Sequence, residues 1–168
     1  HELAYHPGEA NLRMADIVVV NKVDAAPDPA VATVVADIAA VNPAAVVVRT
    51  ASPVSLEAGP SLIGRRVLVV EDGPTLTHGG MAFGAGTVAA RHAGASELVD
   101  PRPYAVGDLA ATFARFAHLG PVLPAMGYGR AQQDELRATI EAVPCDVVVA
   151  GTPIDLARAL ALSPDRPV

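Results

Sequence analysis

Short runs of β-branched residues alternate with alanine-rich stretches of helical length along nearly the whole chain, and this rhythm constrains the fold more than any other feature. Strands are expected at about 16–20, 45–49, 66–70, 96–99, 121–123 and 146–150, each bounded by Gly, Pro or Asp. Helices are expected over about 28–41, 80–92, 107–116, 130–142 and 153–162. Parallel strands need crossovers of helical length, so the alternation predicts an α/β fold: a mostly parallel sheet with helices on both faces. Hydrophobic residues make up 51% of the chain but aromatic ones only 4%, which leaves Val, Ala, Leu and Ile to build the core. Such side chains suit parallel strands covered on both faces.

The stretch from Ala51 to Arg66 is punctuated by Pro53, Gly59, Pro60 and Gly64 and is followed by a fresh strand, so it reads as the internal boundary between lobes 1–53 and 54–168. Twelve basic against 18 acidic residues, a net charge of -6 and no Lys/Arg cluster argue against a nucleic-acid partner. The apolar runs are far too short to span a bilayer and no signal peptide is visible, so a cytoplasmic protein with no membrane partner is expected. Cys145 is the sole cysteine, which excludes an intrachain disulfide and a Cys-x-x-Cys pair. The chain opens at His1 inside what reads as an ordered polar loop, which suggests a fragment. Homo-oligomerisation stays open.

The first chemical signal is the apolar run Ile17-Val18-Val19-Val20 followed at once by Asn21-Lys22-Val23-Asp24. A carboxylate three residues after an Asn at a strand's carboxyl end can accept two hydrogen bonds from a guanine edge, while the lysine stem covers the base and the Asn braces neighbouring loops. This resembles the Asn-Lys-x-Asp motif of P-loop GTPases. Arg49-Thr50-Ala51-Ser52-Pro53, after the next strand, resembles the second base-contacting loop of the same proteins. Asn21, Lys22, Asp24, Ala51, Ser52 and Pro53 are therefore the expected nucleotide-binding residues. Alternatively, Asp24 caps the next helix and Lys22 is merely solvated. No Gly-x-x-x-x-Gly-Lys-[Ser/Thr] loop occurs in the sequence, so nothing in it is expected to seat the β- and γ-phosphates of a nucleotide.

The second signal begins with the strand Val67-Leu68-Val69-Val70 and continues as Glu71-Asp72-Gly73-Pro74-Thr75-Leu76-Thr77-His78-Gly79-Gly80. Read as a loop, it offers amides and hydroxyls to an anion from Thr75, Thr77, Gly79 and Gly80, with Glu71 and Asp72 as magnesium ligands. His78 has three open roles: phosphate ligand, acid or base, and phosphoryl acceptor. Arg102 is the candidate bidentate partner of a phosphate or carboxylate, or else a surface ion pair. Strand ends of this kind converge on one rim, which predicts Asp72, His78 and Arg102 in one catalytic cleft.

The run Glu71 to Gly86, with Asp100-Pro101-Arg102-Pro103-Tyr104-Ala105-Val106-Gly107, His118 to Gly129, Gly151-Thr152-Pro153-Ile154-Asp155-Leu156 and the opening His6-Pro7-Gly8-Glu9, resembles the cyclic 2,3-diphosphoglycerate synthetase family over essentially the entire chain. The resemblance implies a P-loop NTPase-like or Rossmann-like fold. Residues 1–53 would be the C-terminal part of the nucleotide lobe, and residues 54–168 a second α/β lobe with Tyr104 among its substrate-binding residues. It further implies a magnesium-dependent enzyme using ATP, with GTP as the alternative, to close a phosphoanhydride between the two phosphates of 2,3-diphosphoglycerate. The rival readings are a GTPase of the metallochaperone or maturation-factor type, and a non-catalytic module that binds nucleotide or a phosphometabolite.

Overall fold

The computed structural model describes residues 3–57, 59–127 and 129–168. Parallel sheets flanked by helices make it an α/β fold of the Rossmann-like or P-loop-like class. The chain divides into two compact units, His1–Pro53 and Val54–Val168.

The first unit runs α1 (Gly8–Met14), β1 (Ile17–Asn21), α2 (Asp28–Val41) and β2 (Val46–Thr50). The strands pair in parallel from Ile17↔Val46 to Asn21↔Thr50. Helix α2 spans the expected residues, with Pro27 at its N-cap and Pro29 in the first turn, where a missing N–H breaks no helical bond. Asn42 follows its last turn and donates from its side-chain amide to Leu12 O and Ala15 O at 2.9 and 2.8 Å, tying the end of α1 to the end of α2. Leu12, Val31 and Ile38 form the buried apolar contacts of this unit. Helix α1 was not expected, because Pro7 and Gly8 look like loop formers.

The second unit contains β3 (Arg66–Asp72), α3 (Gly73–Gly79), α4 (Ala85–His92), β4 (Glu97–Leu98), a 3-10 turn at Arg102–Tyr104, α5 (Gly107–Arg115), β5 (Leu123–Ala125), α6 (Arg130–Ala142), β6 (Val147–Gly151) and α7 (Leu156–Leu160). Strand β3 lies at the centre, and every pairing is parallel. Along one edge it meets β6, from Val67↔Val147 to Glu71↔Gly151. The opposite edge is shared: β4 takes Arg66 and Val67, and β5 takes Val70 to Asp72. Pro124 fits in β5 because that strand is short and pairs only with β3 among the described residues. Val67, Leu68, Val69 and Val70 have no exposed surface, which is why this strand reads as a continuous apolar run rather than an alternation. Each such side chain contributes roughly 1.5–3 kcal/mol by leaving water. Leu109, Phe113, Leu136, Ile140, Leu156 and Leu160 pack into the same core from the helices.

The expected helix over 80–92 is shortened to α4, and a separate helix, α3, precedes it. Gly80 adopts the left-handed conformation (φ +63°) and closes α3, and α4 starts only after Gly84. The last helix is shorter than expected, since Asp155 caps α7 by accepting from Arg158 N at 3.0 Å.

Burial pushes the Cys145 thiol above its ordinary value of 9.0, and this outweighs the opposing pull of Arg166, whose Nη1 lies 3.3 Å from Sγ. The unfolded chain therefore ionises first. The stability contributed by the neutral buried thiol is complete below the ordinary value and is lost as pH rises through the folded one. Alkylation of Cys145 at pH 8 is expected to be slower in the native protein than in urea by about tenfold or more. Equal rates in the two states would refute the burial argument.

Candidate functional site

In the first unit, the two loops leaving β1 and β2 are fastened to each other. Asn21 Oδ1 accepts from Thr50 Oγ1 and from Lys22 N, both at 2.9 Å, and Val23 N donates to Thr50 O at 3.2 Å. Asp24 Oδ1 accepts from Ser52 N at 2.9 Å. Lys22 takes a left-handed φ of +62°, which turns the chain sharply at the strand end. Asn21, Lys22, Asp24, Ala51, Ser52 and Pro53 are all exposed. The geometry thus gathers the six predicted nucleotide residues on adjacent strand ends, with Asn21 bracing the loops and Asp24 facing solvent beside the Ser52 amide.

In the second unit, parallel pairing brings the ends of β3, β5 and β6 to one rim. Residues 73–79 there are helix rather than loop. Asp72 is the N-cap of α3, and its Oδ2 accepts from Thr75 N at 3.3 Å and Thr75 Oγ1 at 2.5 Å. Thr77 is buried and gives its hydroxyl to Gly73 O at 3.0 Å, so it does not present that group to a ligand. Gly79 is exposed in the last turn of α3, and Gly80 closes the helix. His78 is exposed at this C-terminal end, with Nδ1 lying 3.2 Å from Pro74 O.

Glu71 departs most from expectation. It is 2% exposed and turns inward, where Oε1 accepts from Gly84 N (3.1 Å) and Thr87 N (2.8 Å) and Oε2 accepts from Gly86 N (3.3 Å). The carboxylate thereby satisfies amides in the first turn of α4 that would otherwise draw an anion. Glycines line its seat: a Cβ on Gly84 or on Gly151 would stand 2.5 Å from Oε2. Glu71 faces the helix and Asp72 caps another, so the two do not converge as a magnesium pair. Among the described residues no three His, Cys, Asp or Glu side chains gather as metal ligands.

Arg102 is likewise committed within the fold. Its Nη1 donates to both carboxylate oxygens of Asp100 at 3.0 Å, its Nη2 donates to Leu119 O, and the guanidinium lies over the Phe113 ring at 5.2 Å from the centroid. This is the ion-pair alternative rather than an open phosphate fork, and it leaves His78 and Arg102 with different partners. Tyr104 is half-buried against the core. Tyr128, in the run that carried the family resemblance, lies outside the described residues. Sequence reasoning did not find the cradle formed by Gly84, Gly86, Thr87 and Gly151. Its one visible signal was glycine both at the end of a strand and at the start of a helix.

The chain is 52% identical over 163 residues to Arginine synthetase ArcE of Thermococcus kodakarensis. The match covers 97% of this chain and 36% of the relative, so the chain spans about a third of that protein's length. No protein-family model matches the chain, and no solved structure does. The expected synthetase character agrees with the relative's name, while the expected product does not. Arginine in place of cyclic 2,3-diphosphoglycerate overturns the assignment of that cyclisation and of 2,3-diphosphoglycerate as substrate, and it favours neither the maturation-factor GTPase nor the non-catalytic module. The physical ground is consistent: two phosphates require several uncommitted cations, and Arg102 is already spent on Asp100 and Leu119.

Proposed function

We propose that this chain forms part of a nucleotide-driven synthetase whose product is arginine. The observation that carries the reading is the 52% identity to Arginine synthetase ArcE over an alignment that covers 97% of the chain. The fastened strand-end loops support it from the side of the chemistry. They present Asp24 and Lys22 beside Ala51 to Pro53 as a seat for a purine base, with ATP as the first candidate and GTP as the second. Magnesium would arrive with the nucleotide phosphates. The rim of the second unit holds the other substrate. There His78 is the exposed titratable group of α3, in the same helix as Thr75 and Gly79 and two residues before Gly80. No helix among the described residues is long and apolar enough to cross a membrane, and the reaction is assigned to the cytoplasm.

The test uses the protein that carries this sequence, supplied with magnesium, ATP or GTP, ammonium and either an amino acid ending in a ureido group, whose oxygen leaves as the third nitrogen enters, or one ending in an amino group together with bicarbonate as the carbon source. Arginine should appear by chromatography in step with nucleotide consumption. No arginine with either nucleotide across those precursors would overturn the reading. Asp24→Asn should weaken the preferred nucleotide by roughly 10- to 100-fold, the range lost with a charge-assisted hydrogen bond. If the base is guanine, xanthosine nucleotide should suffer less than GTP. Unchanged affinity of Asp24→Asn for all three nucleotides would remove the base assignment.

A further inference from the structure

A trough of about 790 Å³ runs along β6 to its carboxyl end, and every lining residue belongs to the second unit. Residues 54–57 with Gly59, Pro60 and Leu62 form one wall, the first turns of α4 form another, and the loop Gly151-Thr152-Pro153-Ile154-Asp155 lies at the end. This volume has room for a ligand the size of an amino acid, and the carboxyl end of a parallel strand is where such sheets bind ligands.

The charge of the lining distinguishes among ligands. Glu57 and Asp155 contribute carboxylates, and among the described residues none that lines the trough is Lys, Arg or His. The amide-rich start of α4, with Ala85 and Gly86 in the wall, would ordinarily favour an anion. Here Glu71 already occupies that position through Gly84 N, Gly86 N and Thr87 N. Both sources of attraction for a phosphate or carboxylate are therefore absent, and a cation meets two acceptors. Leu56, Leu62, Val149 and Ile154 add an apolar surface for a methylene stem. Asp155 keeps an acceptor for a ligand, since its cap to Arg158 N engages Oδ1.

We infer that this trough receives the guanidino-bearing side chain of arginine, with Glu57 and Asp155 as its carboxylate partners. The inference rests on the arginine-forming reading and assigns its substrate class to a specific wall of the fold. L-arginine binding to the protein that carries this sequence should be measured by calorimetry at low ionic strength. Glu57→Gln and Asp155→Asn should each weaken it about tenfold or more and leave nucleotide affinity unchanged. Asn caps a helix as well as Asp does, so Asp155→Asn should retain the wild-type melting temperature. Agmatine, which keeps the stem and guanidino group, should compete with arginine, whereas norvaline, which lacks the guanidino group, should not. Unchanged arginine affinity in both variants, or competition by norvaline equal to that of agmatine, overturns the site. If wild-type protein still forms arginine in that case, the functional reading survives without it. A wild-type protein that neither forms nor binds arginine overturns both.

Discussion

Glu71→Ala should cost about 3–5 kcal/mol of stability, the loss expected when a buried charge with committed partners is removed. Three amides would lose their acceptor, those of buried Gly86 and Thr87 and that of half-buried Gly84. Each orphaned buried donor costs about 1–3 kcal/mol, and the vacated volume adds to the loss. Glu71→Gln should fall in between, because it keeps the shape but turns one acceptor into an NH₂ facing donors. The urea midpoint followed by circular dichroism reads the effect. A wild-type midpoint for Glu71→Ala would show that the first turn of α4 finds other partners, and Glu71 would then no longer be the organiser of this rim.

Gly73→Ala is expected to destabilise the second unit by about 2–4 kcal/mol, the upper range for forcing an atom into a packed core. A Cβ at this position would stand 2.6 Å from Ala125 O and 2.6 Å from Met126 Sδ. The methionine can swing aside, but the carbonyl cannot, since Ala125 is held in register with Asp72. Gly79→Ala provides the control in the same helix. There the nearest atom to the added methyl is the Met81 side chain at 3.6 Å, and the exchange should be neutral or slightly stabilising. Equal midpoints for Gly73→Ala and Gly79→Ala would refute the close approach of β5 to the start of α3.

What the sequence made legible was whatever is encoded within a few residues. Val67 to Val70 announces a strand covered on both faces, and Asn21 to Asp24 announces a strand-end loop, because in each case the signal and its physical cause lie side by side. The helix at 73–79 was missed for a local reason. Gly73 and Pro74 read as a turn, although a proline in the first turn after an aspartate is also how a capped helix begins. For Arg102 the sequence left a phosphate partner and a surface ion pair both open, and Asp100, two residues earlier, supplies an ion pair. Glu71 was beyond local reading altogether. Its partners lie 13 to 16 residues onward, and only the docking of α4 against β3 brings them to it.

Because β3 draws its partners from so far along the chain, vectorial synthesis leaves it incomplete for a long interval. Arg66 N binds the side chain of Asp146, 80 residues later, and β6 follows directly. At about 5–20 residues per second, a ribosome needs roughly 4–16 seconds to supply that edge. During that interval Val67-Leu68-Val69-Val70, a flat apolar strand with no charge or proline within it, offers its unpaired backbone to any extended segment nearby. A nascent chain stalled before Val147 is thus a template for strand addition, and its yield depends on what holds that edge until β6 emerges.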